Sequence, residues 1–392
     1  MPNSITSTPV ESFNRSVLEW ARKQAAYESE EIDKLLNVEV GTVRGWEKGF
    51  SNPNIETLRN LSYLYDIPFA YFFLEILPDE PQLRDYRGVP KEKRRDLSRY
   101  TRLSLREFRR LSRLASTLQD ITGISTVLKV GAAHSQEDPE QVAEREFARI
   151  GIRYDDRQAW ASKEEAYRVW REKIESLGIF VFSLPMLSSE CRGASIVTAR
   201  TCAILVNQSD APAGRSFTLF HEYYHLILHT SRELMICDLY PGNSESFANR
   251  FSTSFLVPEK EFIEILETKN LAQYQQWWTD TELSDLADIF YVSRDVIAIR
   301  LENLRFAPEG FYRHKREHWD QLFHERGGFG RGGKSKKTYA QDKLGSNFYN
   351  LTLNAVRANM LNPVEAALYV GQVRPGRRPW TIKASDVESW IK

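Results

Sequence analysis

Phe217-Thr-Leu-Phe-His-Glu-Tyr-Tyr-His-Leu-Ile-Leu-His229 is the stretch that decides the fold. Apolar residues fill it at helical spacing and on nearly every side, so residues 215–230 predict a helix buried on most of its circumference. Helical geometry stacks His221 and His225 on one face with Cβ atoms about 6 Å apart. From there two imidazole nitrogens meet a single metal ion at roughly 2.0–2.1 Å. Glu222, one residue round the helix, reaches a metal-bound water without occupying the ion, which makes it the natural general base. The competing account is a pair of helix histidines satisfied by ordinary hydrogen bonds. Ionisable groups on a buried helix need partners under either account.

Outward from this helix, Ser244-Glu-Ser-Phe-Ala-Asn-Arg-Phe251 offers a third ligand. Glu245 stands on an apolar helix at 244–256, and Asn249 follows one turn later on the same face. A carboxylate ligand followed by an amide that holds a histidine's other nitrogen fits the way metal ligands are oriented. Two His and one Glu leave an open position for water, the mark of a catalytic site. Upstream, 161–177 reads as an amphipathic helix, and 179–182 and 202–206 as short β-branched or aromatic strands. Downstream, 283–304 reads as two helices across a Tyr291-Val-Ser293 turn. The fold class expected is α+β and mostly helical.

Phe217 to His229, followed by Glu245-Ser-Phe-Ala-Asn-Arg-Phe-Ser-Thr-Ser-Phe-Leu-Val-Pro258, resembles the ImmA/IrrE family of metallopeptidases, a gluzincin-like group. The resemblance covers about residues 150–305. It implies that His221, His225 and Glu245 bind the metal, that Glu222 is catalytic and that Asn249 supports a ligand. Zn²⁺ is the expected ion, and Mn²⁺ is tolerated by the carboxylate and open positions. It further implies a metal-dependent endopeptidase with a narrow substrate, typically a helix-turn-helix repressor, or the protein itself. The alternative is a transcriptional regulator or antitoxin whose peptidase-like domain acts as a sensor.

Residues 1–80 separately resemble a Cro/repressor-type (XRE) helix-turn-helix domain, with Trp46-Glu-Lys-Gly49 and Asn52-Pro53 the telling residues. Helices are expected at 16–27, 29–36 (capped by Ser29), 41–47 and 54–65, with a short aromatic segment at 68–74. Val40, Thr42, Arg44 and Lys48 are the candidate DNA contacts. Glu39, Val40, Gly41, Thr42 and Gly45 offer little to hydrogen-bond a base edge, and Asp33 stands where a small residue usually packs the two helices. Residues 1–75 carry 7 basic against 11 acidic residues, a net −4 that opposes phosphate contact. Residues 84–113 carry 12 basic against 4 acidic, net +8, and form the heart of a basic helical connector spanning 81–135.

The peptidase domain is expected over 136–305, and 306–392 form a small C-terminal unit with a Gly/Lys-rich loop at 326–337. That loop lacks the GxxxxGK[ST] spacing of a phosphate-binding loop. Three scattered cysteines, Cys191, Cys202 and Cys237, make neither a disulfide framework nor a cysteine-caged zinc. The longest apolar stretch, 177–187, is interrupted by Pro185 and is too short for the roughly 20 residues of a membrane helix. Absent a signal-peptide pattern, a cytoplasmic location is expected. The expected partner is a protein substrate, a repressor above all. DNA and a second copy of the chain are the other partners allowed, and no membrane is expected. Smaller candidates are His229, Cys237, His314, His318 and His324, with Tyr223, Tyr224 and Tyr240 as oxyanion donors.

Overall fold

The computed structural model describes residues 8–25, 27–65, 67, 69–77, 97–124, 131–134, 136–197, 201–228, 234–236, 243–323, 335–371 and 382–391. His229, Cys237, Tyr240, His324 and most of the loop at 326–337 lie outside them, as does the connector up to residue 96. The described residues fall into two compact units, the first up to Glu107 together with Gly371 and the second Phe108–Val370 together with the described residues from Ile382 on. The fold is α+β and mostly helical. Among the described residues no helix is long and apolar enough to cross a membrane.

The first unit is built from α1 (Arg15–Gln24), α2 (Ser29–Leu36), α3 (Thr42–Lys48), α4 (Ile55–Tyr65) and a 3-10 turn at Phe69–Phe73. The start of α5 (Arg99–Thr122) completes it. Val17, Leu18, Ala21, Ile32, Val43, Trp46, Leu58 and Leu61 form its core. Asn14 caps α1, its side chain accepting from the Ser16 and Val17 amides. The cap of α2 is not Ser29, which sits inside the first turn. Glu28 takes that place, with Glu31 reaching back to its amide in a capping box.

Asp33 is not a packing misfit. It is fully buried, and its carboxylate accepts from the Gly41 amide at 2.7 Å and the Val43 amide at 2.9 Å. Gly41 caps α3 without a side chain, so Asp33 supplies from α2 the acceptor that the N-terminus of α3 requires. Asn37, in the left-handed conformation, turns the chain between the two helices. Arg22 and Glu47 form a buried two-pronged ion pair at 2.7 and 3.1 Å. Arg22 also donates from Nη1 to the Tyr27 carbonyl, so each of its three nitrogens has an acceptor.

The second unit centres on a four-stranded sheet of β1 (Phe180–Leu184), β2 (Gly193–Val197), β3 (Cys202–Asn207) and β4 (Leu234–Ile236), in the order β1-β3-β2-β4. β1 runs parallel to β3, while β2 is antiparallel to both β3 and β4. β2 and β4 escape notice in the sequence, because Gly193-Ala-Ser-Ile-Val197 and a three-residue strand carry too little alternation.

Val181, Ile204 and Val206 join the core formed with α6 (Pro139–Ile150), α7 (Lys163–Ser176), α8 (Pro212–Leu228) and α9 (Asn243–Leu256). Phe220 and Phe255 stack at its heart, and Trp170 meets both edge-on. Phe180 and Phe182, two residues apart on one side of β1, meet Phe348 of α14 (Lys336–Arg357). α10 (Glu259–Thr268), α11 (Asp280–Ile289), α12 (Arg294–Asn303) and α13 (Phe311–Phe323) follow α9, and α15 (Pro363–Val370) and α16 (Ala384–Ile391) follow α14. α11 and α12 meet at the expected turn, where Tyr291 takes a positive φ.

The C-terminal helices do not stand apart. α14 packs on β1 and α7 within the same compact unit. Ser335 caps α14, so Lys336 and Lys337 belong to a helix and not to the glycine-rich loop. α14 breaks at Gly345, whose φ is +75°. Ser346 donates its amide to the Glu175 carboxylate there, and Arg171 donates to the Asp342 and Val181 carbonyls.

Candidate metal centre

α8 begins with Pro212, whose fixed φ suits a first helical turn. Every residue from Thr218 to Ile227 is buried, as the sequence predicts, and the helix packs on both the sheet and α9. α9 crosses it and brings Glu245 and Asn249 to the histidine face. The ligand atoms of His221, His225 and Glu245 all lie within 4.8 Å of one another. Glu245 Oε2 is 3.1 Å from His221 Nε2, and Oε1 is 3.3 Å from His225 Nε2. The two Nε2 atoms stand 3.2 Å apart.

Asn249 Oδ1 lies 2.9 Å from His221 Nδ1. With the amide oxygen accepting, the ring proton sits on Nδ1, and neutral His221 presents a lone pair at Nε2. Lone pairs on two imidazoles and a carboxylate thus converge on one point. Such a donor set fits a divalent cation of the zinc class. Burial opposes ionisation of Glu245, but hydrogen bonds from His221 and His225, together with their positive charge when protonated, outweigh it and hold its carboxyl down at about 2. A carboxylate that is an anion at any working pH is suited to a metal.

Glu222 is fully buried on the same helix. Its side chain lies against Gly193 of β2, close enough that a Cβ on that glycine would fall 2.6 Å from Oε1. The sequence carries a weak signal for this neighbour, since a glycine in a strand often marks close approach of another group. That signal is readable only once β2 is known to be a strand.

The remaining candidates fall elsewhere. Tyr223 donates to Glu146 Oε2 at 2.7 Å, so its hydroxyl is engaged away from the cluster, and burial pushes its pKa up. Tyr224 packs on Phe251. His314 and His318 are exposed on α13, and neither joins His221, His225 and Glu245. In the first unit Val40, Arg44 and Lys48 are exposed at and before α3. Thr42, half-buried, donates its hydroxyl to the Glu39 carbonyl at 2.6 Å.

Residues 174–302 match the peptidase M78 family model, described as the IrrE N-terminal-like domain. A Mycobacterium tuberculosis transcriptional regulator matches in structure at 17% identity and a TM-score of 0.28, over 49% of this chain and 51% of its own. The chain therefore spans about half the length of that protein, and an overlap so slight carries no argument. No curated protein matches the chain.

Proposed function

With residues 174–302 belonging to the IrrE N-terminal-like peptidase family, we propose that the protein is a metal-dependent endopeptidase. Its ion is held by His221, His225 and Glu245, and its general base is Glu222. The observation that carries this reading is the convergence of the three ligand atoms within 4.8 Å, with His221 Nδ1 held by Asn249. Zn²⁺ suits two imidazoles and a carboxylate best, and Mn²⁺ is the second choice. When bound, the ion supplies Lewis acidity that polarises a peptide carbonyl and brings water's pKa towards 7.

The chain's own groups do the rest. Glu222 accepts the proton of the attacking water at its carboxylate and later delivers it to the leaving nitrogen. Asn249 keeps His221 in the tautomer and orientation that binding requires. Burial of α8 keeps bulk water from competing for Glu222. The substrate is a regulatory protein, a helix-turn-helix repressor or the chain itself, cut to switch stress, prophage or mobile-element genes. α2, the Asn37 turn and α3 form the recognition part of a helix-turn-helix module.

Terminus profiling of cells expressing the wild type or Glu222→Gln tests this. New protein N-termini should appear with the wild type alone, because glutamine keeps the shape of glutamate but accepts no proton. The rate loss should be roughly 10²- to 10⁴-fold. Identical profiles from the two proteins would overturn the reading and favour a sensor-regulator.

A further inference from the structure

Gly193 opens β2 with backbone angles that any residue adopts, for its φ lies outside the left-handed region. Conformational freedom therefore does not explain a glycine there. Space does. A Cβ at this position would fall 2.6 Å from Glu222 Oε1, 3.0 Å from Glu222 Cγ and 2.5 Å from Thr218 Cγ2. Ordinary contacts between carbon atoms are about 3.5–4.0 Å. A single methyl group would thus displace Thr218 and Glu222, one turn apart on α8, by a large part of an ångström.

The strand itself is poorly placed to give way. Gly193 pairs with Val206 in the β2–β3 ladder. Its carbonyl accepts from the Cys191 thiol at 3.2 Å. Asn207, fully buried, donates its amide to the Arg192 carbonyl at 2.8 Å and its side chain to the Met186 and Cys191 carbonyls. That side chain also accepts from the Met186 and Ser209 amides. One asparagine thus pins the segment leading into β2 from several sides, and the carboxylate is what would move.

We propose that Gly193 is a positioning residue for Glu222: the bare backbone of β2 leaves the space in which the carboxylate lies, and so fixes where it takes water's proton. This rests on the peptidase reading above. Misplacing a catalytic group by about 1 Å costs on the order of 10²-fold in rate. The atoms nearest the added methyl belong to Thr218 and Glu222 and to none of the three metal ligands, so metal content should not follow the loss.

The test has two arms, both on the full chain. The first is a thermal-unfolding cycle in a Thr218→Ser background, which removes the Cγ2 contact. Gly193→Ala should lower Tm there, and adding Glu222→Ala should remove most of that loss, because neighbours in contact couple. The second uses a peptide spanning a cleavage site found by terminus profiling. Gly193→Ala should lower kcat roughly 10²-fold with KM and zinc content unchanged. In a Glu222→Asp background, which draws the carboxylate oxygens back by one methylene and leaves only the 3.0 Å contact at Cγ, it should cost several-fold less. Equal losses in both backgrounds, or a thermal cycle without coupling, overturn the proposal and leave the peptidase reading intact. A wild type that produces no cleavage site sinks that reading, and the role of Gly193 with it.

Discussion

His221 carries two ring nitrogens, and the structure gives them different neighbours. Nδ1 meets Asn249 Oδ1, while Nε2 faces Glu245 and His225. The three residues therefore differ in what their loss should do. Glu245→Gln removes an anionic ligand and should lose metal affinity first, with cleavage falling as a consequence. Asn249→Ala leaves all three ligands but frees the imidazole, a change that typically costs 10- to 100-fold in affinity. Glu222→Gln touches no ligand and should keep full occupancy. Competition titration with a zinc indicator orders the three, and an Asn249→Ala protein binding as tightly as wild type would refute the supporting role given to this asparagine.

α14 is the element whose contacts make the clearest demand on pH. Glu175 of α7 is buried beneath its break at Gly345, and burial pushes the carboxyl up to about 7. Arg171 and the amide donors at 346 and 347 pull the other way but do not prevail, and Glu172 adds a little repulsion. In the unfolded chain this carboxyl titrates near 4.5. Between the two values the folded state keeps a proton that the unfolded chain has released, so its contribution is complete below about 4.5 and is lost as pH rises through about 7. Glu175→Gln is neutral at every pH and retains an acceptor for the Ser346 amide. It should match wild type in urea midpoint near pH 4.5 and exceed it near pH 8, by roughly 3 kcal/mol at most. A gain that is the same at both pH values would mean that the carboxyl does not titrate in this window.

Elements and residues were legible to different degrees. α8 was readable because a buried helix needs apolar residues on every side, so the two histidines and a glutamate stand out against them. Glu245 and Asn249 were readable because one helical turn separates them. β2 and β4 were hidden by their shortness. The place of α14 on β1 was hidden because contacts between Phe180, Phe182 and Phe348 join residues far apart in the chain, which local periodicity cannot report. Asp33 departs from the helix-turn-helix pattern in the sequence, and only the fold shows the two amides it serves.

Across the whole molecule the balance of 53 basic and 53 acidic residues conceals a strong separation along the chain. Residues 1–75 carry net −4, and residues 84–113 carry net +8. A recognition helix on an acidic module must overcome repulsion from the DNA backbone before any base is read, because phosphate contacts supply most non-specific affinity. α3 is poorly equipped for that. Val40 is 73% exposed and apolar, Gly45 has no side chain, and the Thr42 hydroxyl is committed to the Glu39 carbonyl. Arg44 and Lys48 remain as exposed cations on the helix. Two such charges provide steering more than sequence discrimination. The full chain should therefore bind duplex DNA weakly and through the basic segment, with similar affinity for unrelated sequences. That affinity should fall steeply between 50 and 200 mM salt, by about 10³-fold if some six phosphates are engaged. Arg44→Ala should leave it within about twofold, since α3 does not supply the phosphate contacts on this argument. Fluorescence anisotropy across that salt range measures both effects. Nanomolar binding to one sequence at physiological salt, abolished by Arg44→Ala, would show that α3 reads DNA despite its charge and composition.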